Sequence, residues 1–472
     1  MIWASMGKIL RFPKGFVWGS ATSALQIEGG TREDGRGPSV WDAVCRELPE
    51  KIFEAASPEP ACGHYQRWAE DVRLLGELGH NGYRLSISWP RLFPGARARI
   101  NERGAAFYDR LFDALLDAGI EPNVTLYHWD LPLELGERGG WESPDTCRRF
   151  ADYAFACFRR YGDRVKLWAT INEPAWTILN GYVTGLHPPC RQDYGAALRA
   201  AQGLLRGHAL ACAACRQERK DSRAGIVLNM SRIRPALDSQ ADAVAASIAD
   251  GILNRWFSDA VIFGRFPEDV KQLYSLRGLL PEGLEETEGL LRQAPLDFLG
   301  VNYYYPHYAS ADAAQTRFHM NISGRAQEDC LFSIKGLFRF VKNPAGRFTD
   351  WGWEIDPEGL YELLLRVREA RPKLPVYVTE NGIGRVEALE GGTVDDGERI
   401  DFVRAHLEAV HRAIAAGVAV RGYYMWSLMD NFSWINGYKK RYGFLFVDRT
   451  TLERRKKRSA FWFRDAARAN GF

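Results

Sequence analysis

The sequence has no uncharged apolar stretch near the roughly 18 residues that a membrane-spanning helix needs, so no membrane partner is expected. A signal-peptide core is missing as well: Lys8, Arg11 and Lys14 interrupt residues 1–16, which points to a cytoplasmic protein. Cysteine is too sparse for a disulfide framework, with Cys45, Cys62, Cys147, Cys157, Cys190, Cys212, Cys215 and Cys330 spread over 472 residues. Cys212 and Cys215 form a CxxC, but inside a helix-like run and with no second ligand pair nearby, so no metal site is expected there. Net charge is almost absent: 62 basic against 59 acidic residues gives +3, too balanced for a polyanion-binding surface. The basic run 454–458 is short, lacks interleaved aromatics and precedes the last helix-like segment, so it reads as a solvated surface turn, with no nucleic-acid partner expected. No Pro/Ser/Gly-rich linker divides the chain.

What is present is a large core and a large aromatic supply: 46% hydrophobic residues, 15 Trp and 19 Tyr, suited to core filling or to platforms for sugar rings. At about 150 residues per domain the length suggests three domains, but closed α/β barrels often exceed that size as one unit. Eight β-rich runs occur, at 16–24, 82–89, 120–128, 166–173, 224–231, 297–304, 375–381 and 422–429, each followed by a candidate helix. After the first run, Tyr65, Trp68, Val72, Leu75 and Leu78 recur at helical spacing with charged residues on the other faces. Similar helices fit 102–118, 144–161, 198–218, 242–263, 357–369, 397–416 and 459–469. Strand then helix, eight times, predicts a single catalytic (β/α)8 TIM barrel over 1–472 with elaborated βα loops, the longest irregular stretch being 305–350. A doubly wound open sheet is the alternative. It should bring a Gly-rich phosphate loop after its first strand, and Gln26-Ile-Glu-Gly-Gly30 is not one.

In a barrel the C-terminal strand ends open on one face, and functional groups gather there. Polar residues stand at those ends repeatedly: Gln26, His128, Asn172 with Glu173, Asn302 with Tyr304, and Glu380 with Asn381. Glu173 and Glu380 are each embedded in an apolar run, on strands four and seven, which face each other across the mouth. Paired carboxyls so placed suit glycoside hydrolysis, one protonating the leaving oxygen and the other attacking or activating water. The competing explanation is a pair of buried salt bridges with Arg84 or another arginine.

Five motifs appear in order: Phe12-Pro-Lys-Gly-Phe-Val-Trp-Gly-Ser-Ala-Thr-Ser23, Tyr127-His-Trp-Asp-Leu-Pro132, Asn172-Glu-Pro174, Thr379-Glu-Asn-Gly382, and Trp426-Ser-Leu-Met-Asp-Asn-Phe-Ser-Trp434. Together they resemble glycoside hydrolase family 1, the β-glucosidase and 6-phospho-β-glycosidase family, along nearly the whole chain. The resemblance implies a retaining double displacement without metal or cofactor, with Glu380 as nucleophile and Glu173 as acid/base. It implies that Arg84 and Tyr304 support Glu380, that Asn172 holds the sugar 2-hydroxyl, and that Gln26, His128, Asn302 and Trp426 are further sugar contacts.

One departure bears on the substrate. Plain β-glucosidases of this family read N-F-E-W after the eighth strand, whereas this chain reads Asn431-Phe-Ser-Trp434. A carboxylate there would repel a 6-phosphate carrying about −1.5 to −2 charges, and a hydroxyl can donate to it. Ser433, Lys440 and Tyr442 resemble the phosphate-binding triad of the 6-phospho-β-glycosidases, one cation and two neutral donors. Trp434 directly after the serine resembles the 6-phospho-β-galactosidases and favours galactoside over glucoside. The expected partner is a phosphorylated β-disaccharide or an aryl β-glycoside, with Trp353 and the 305–350 loop as aglycone walls. Plain β-glycosides, or a silent sugar-phosphate sensor that binds without cleaving, are the alternatives.

Overall fold

The computed structural model describes residues 9–95, 99–325, 331–389 and 391–472; Lys8, Cys330 and residues 326–329 of the long stretch lie outside them. Eight parallel strands close into a barrel: β1 (Val17–Ala21), β2 (Gly82–Ser86), β3 (Glu121–Tyr127), β4 (Leu167–Asn172), β5 (Arg223–Asn229), β6 (Phe298–Asn302), β7 (Val376–Asn381) and β8 (Val420–Trp426). Each strand pairs with its sequence neighbour, and β1 closes the ring on β8 from Val17 against Gly422 to Ala21 against Trp426. These runs are apolar on both faces because both faces are covered, as a parallel sheet requires. Ala21, Leu167, Ala169, Val227, Phe298, Tyr377 and Tyr424 fill the barrel as a separate inner cluster. Trp168, Val376 and Val378, at alternate positions of the same strands, belong to the larger core under the helices.

The outer helices match their predicted spans within a few residues, for example His64–Glu77, Glu102–Asp117, Pro144–Tyr161 and Gly397–Ala415. Pro144–Tyr161 starts with the Ser143 hydroxyl accepting the Asp145 N–H and with Pro144 at its first position, where no amide hydrogen is needed. Two helices between β5 and β6, Glu268–Leu276 and Leu284–Gln293, were not foreseen. Cys212 and Cys215 are buried thiols on the helix Tyr194–Glu218, and burial pushes the Cys215 thiol up to about 12.

Two expectations are corrected. The stretch 305–350 is not irregular. Its strands His307–Ser310, Arg317–His319, Leu331–Ile334 and Phe338–Val341 join Ile233–Pro235 in a five-stranded sheet over the barrel mouth. These are three- and four-residue strands in hairpins, too short for an alternation pattern to register. The basic run 454–458 is not a solvated turn either. Arg454–Lys456 is a strand paired with Leu445–Val447, and two of its cations point inward. Arg454 makes two hydrogen bonds to the buried Asp71, and Lys457, 0% exposed, bridges Asp430 and Glu387. Buried charges must be paired, and the carboxylates they meet come from distant parts of the chain, which a local charge count does not see.

Candidate active site

Both candidate carboxylates sit where regular strand pairing breaks. Strict alternation would put Glu380 on the same side as Val376 and Val378, facing the helices. The register of β7 against β6 slips between Val378 and Glu380, and the slip turns Glu380 toward the mouth. On β4 the register against β5 slips between Ala169 and Asn172, so Asn172 leaves the parity of Trp168 and joins the mouth. Glu173 follows with φ 50° and ψ 63°, a left-handed conformation uncommon for a residue with a side chain. Its N–H is anchored on the Val227 carbonyl at 2.8 Å. Such strain persists only where surrounding structure holds it.

The polar side chains at the mouth form one network. Arg84, wholly buried on β2, donates from Nη1 to Glu380 Oε1 and from Nη2 to Asn172 Oδ1, the latter at 2.6 Å. Tyr304 donates its hydroxyl to Glu380 Oε2 at 2.7 Å. Asn302 donates to Glu173 Oε1 at 2.7 Å and to Asn172 Oδ1 at 3.2 Å, and its own Oδ1 accepts from Thr379 Oγ1 at 2.7 Å. With both these donors on Asn172 Oδ1, its Nδ2 must be the atom 3.2 Å from His128 Nε2. His128 therefore accepts at Nε2 and carries its proton on Nδ1, which has no partner among the described residues. Burial and the Arg84 charge push the His128 pKa well below its usual value, so the ring is neutral.

The two carboxyls are equally buried and differently supplied. Glu380 has a guanidinium and a phenol. Glu173 has one amide, and its pKa is pushed up to about 8, first by burial and then by the negative charge of Glu380, against the pull of Asn302 and Arg84. At pH 7 Glu173 therefore keeps its proton. The competing salt-bridge explanation holds for Glu380, which pairs with Arg84, but not for Glu173. A proton donor facing a hydrogen-bonded carboxylate across one cleft is the equipment for breaking an acetal.

Around the pair, Gln26 lies in the helical turn Ala24–Ile27, beyond the end of β1, and donates to the Phe432 carbonyl at 2.8 Å. His128 lies between the rings of Trp426 and Trp434, with centroids at 5.9 and 6.2 Å. Trp434 is itself wedged between Trp41 and Trp129, both at 4.7 Å. Ser433 is buried in a turn in which its N–H donates to the Gly437 carbonyl at 2.7 Å. Lys440 is 2% exposed; its ammonium lies 3.2 Å from the Trp353 ring centroid and 5.5 Å from that of Tyr442. Tyr442 in turn lies 6.3 Å from Tyr304, the donor to Glu380. Trp353 stacks on Tyr305 at 4.6 Å, and beyond it opens a cavity of about 110 Å³ lined by Trp176, Asn180 and His307.

The model of glycosyl hydrolase family 1 matches residues 9–472. The chain belongs to this family. It is 39% identical to beta-glucosidase A of Acetivibrio thermocellus, over 99% of this chain and 100% of that one. It is 40% identical to the aryl-phospho-beta-D-glucosidase BglC of Bacillus subtilis, over 98% of each. The family 1 β-glucosidase of Thermotoga maritima superposes with a TM-score of 0.91 at 37% identity, covering 99% of this chain and 100% of that structure. Family 1 relatives thus carry names of both phosphorylated- and plain-substrate enzymes.

Two members of the network were not singled out from the sequence. Thr379 orients Asn302, and Trp129 donates its indole N–H to the Asn172 carbonyl at 3.0 Å. Both lie inside quoted motifs, and Trp129 has φ 74°. Position in a motif was the only available signal, since nothing local says which side chain touches which.

Proposed function

We propose that this family 1 glycosidase cleaves 6-phospho-β-glycosides, galactosides ahead of glucosides, by a retaining double displacement. Glu380 attacks the anomeric carbon while Glu173 gives its proton to the leaving oxygen, so the C–O bond to the aglycone breaks as the C–O bond to Glu380 forms. Arg84 and Tyr304 orient the attacking carboxylate. Once Glu380 is an ester, its charge no longer raises the pKa of Glu173. Glu173, whose proton left with the aglycone, therefore stays ionised and takes a proton from the water that attacks the ester, which frees Glu380 and restores Glu173. Substrate, water and the two carboxyls account for every atom of the cycle. Asn172 and His128 meet the sugar hydroxyls, and the indole wall of Trp426 and Trp434 meets its apolar face.

The observation that carries the phosphate assignment is the buried Lys440 beside Tyr442, one ring from the Tyr304–Glu380 pair, with Ser433 in the same loop where plain-sugar members have a glutamate. A dianion placed there meets a cation and two hydroxyl donors and no opposing carboxylate at 433. Trp434, fixed between two other indoles, offers a rigid surface against one face of the sugar, and supports the galactoside preference. Such substrates place the enzyme in the cytoplasm.

The test is turnover of 4-nitrophenyl β-galactoside and β-glucoside, each with and without a 6-phosphate. The phosphorylated pair is expected to have kcat/KM at least about a hundredfold higher, since a phosphate contact with a cation and two donors is worth a few kcal/mol. Faster turnover of the plain pair would overturn the assignment. Ser433→Glu should shift the plain-to-phosphorylated activity ratio toward plain sugars by about tenfold or more, through the introduced repulsion.

A further inference from the structure

The loop after β7 contains two glycines two residues apart, and they are glycine for different reasons. A Cβ at Gly382 would lie 1.9 Å from the Trp426 carbonyl oxygen, so the close approach of the β7 and β8 ends forbids any side chain. At Gly384 the three nearest atoms all belong to side chains. Its φ lies outside the left-handed region, so its conformation does not require glycine. A Cβ there would fall 2.7 Å from both Cγ and Cε of Lys440 and 3.0 Å from Cζ of Tyr442. Carbon atoms in contact stay about 3.5–4.0 Å apart, so a methyl group at 384 and the present path of the lysine stem exclude each other.

Neither side can give way easily. The lysine is already packed against Trp353, 3.2 Å from its ammonium to the ring centroid, with Trp351 at 5.0 Å. The backbones are stitched together beside the contact: Arg385 N–H donates to the Arg441 carbonyl at 2.9 Å, and Arg441 N–H to the Arg385 carbonyl at 3.0 Å. A retreat of either loop would break this reciprocal pair, while a shift of the lysine alone moves the cation.

We infer that Gly384 is a positioning residue for phosphate recognition: the missing side chain is the channel along which Lys440 runs, and it sets where the ammonium and the Tyr442 ring stand. This rests on the assignment of Lys440 and Tyr442 as phosphate ligands and adds a determinant outside the loop that carries them. The determinant acts through shape, and its effect should fall on binding of phosphorylated substrates and spare the chemistry.

The full-length chain carrying Gly384→Ala, alone and with Lys440→Ala, tests this on 4-nitrophenyl 6-phospho-β-galactoside and its plain counterpart. Gly384→Ala should raise KM for the phosphorylated substrate about tenfold or more, with kcat and both plain-substrate constants within about threefold. In the Lys440→Ala background the same change should add less than about threefold, because the closer lysine stem is gone and of the nearest groups the Tyr442 ring alone remains to meet the methyl group. An unchanged KM in the single variant, or an equal loss in both backgrounds, overturns the inference while leaving the phosphate preference of the parent enzyme standing. A parent enzyme without that preference overturns the phosphate assignment and the inference together. If Gly384→Ala fails to fold and the double variant folds, the conflict is with the lysine stem, as inferred. If both fail, the conflict does not lie with the lysine stem and the inference falls.

Discussion

Glu173 and Glu380 are the same side chain at the mouth ends of two strands three apart in the barrel, 5% and 4% exposed. On the β7 side a guanidinium and a phenolic hydroxyl converge on the carboxylate; on the β4 side a single carboxamide does. Equal burial therefore does not mean equal protonation. Desolvation disfavours charge on Glu173, which the Asn302 amide meets, whereas Arg84 and Tyr304 reach Glu380 from neighbouring strands. Moreover, the negative charge of Glu380 helps keep the proton on Glu173, so the division of roles is a property of the pair.

The contrast can be broken first at its charged member. Glu380→Ala should lower kcat by about 10⁵-fold or more, as removal of a nucleophile does. A 2-deoxy-2-fluoro glycoside should label the parent enzyme at Glu380 and leave this variant unlabelled; labelling elsewhere, or retained turnover, would overturn the nucleophile assignment, whereas a parent chain that neither labels nor turns over would favour the silent sensor.

Glu173→Gln should lower kcat/KM by about 10²–10⁴-fold. The loss should be steeper for a sugar leaving group than for nitrophenolate, which needs little proton assistance. In the parent enzyme kcat/KM should fall above about pH 8, where Glu173 loses its proton, and the variant should lack this limb. Stability supplies a second check. The Glu173 carboxyl titrates near 4.5 when unfolded and near 8 when folded, so between those values the native state binds the extra proton. Stability therefore falls as pH rises through that window, and the variant should gain relative to the parent at pH 9 compared with pH 5 in urea denaturation. A pH-independent difference would mean that Glu173 is not the buried acid.

The smallest effect is expected at Tyr304→Phe. Losing one hydrogen bond to a charged group is worth about 1.5–3 kcal/mol, so kcat/KM should drop roughly ten- to a hundredfold with Arg84 still in place. An unchanged kcat/KM would show that Arg84 alone orients Glu380.

Much of the barrel was legible because its elements are long and periodic. The eight strands, and the helices such as Glu102–Asp117 between them, carry their own hydrophobic pattern. The sheet over the mouth was not, since strands of three and four residues take their order from hairpin partners and from packing on residues such as Ala245 and Ala246. The carboxylates were legible as motif residues. The register slips that aim Glu380 and Asn172 into the mouth were not, because by alternation both belong on the outer face. The inward turn of Lys457 was hidden for a similar reason: Asp430 and Glu387, which meet it, are 27 and 70 residues away.

The sequence by itself determined the count of strand–helix units, the residue types at the mouth and the serine at 433, because these belong to contiguous residues and their periodicity. Only the tertiary structure decided which of two glutamates keeps its proton and why residue 384 bears no side chain. Desolvation, charge and steric exclusion are sums over neighbours in space, and here those neighbours come from β2, from β6 and the tyrosine beyond it, and from the loop after β8.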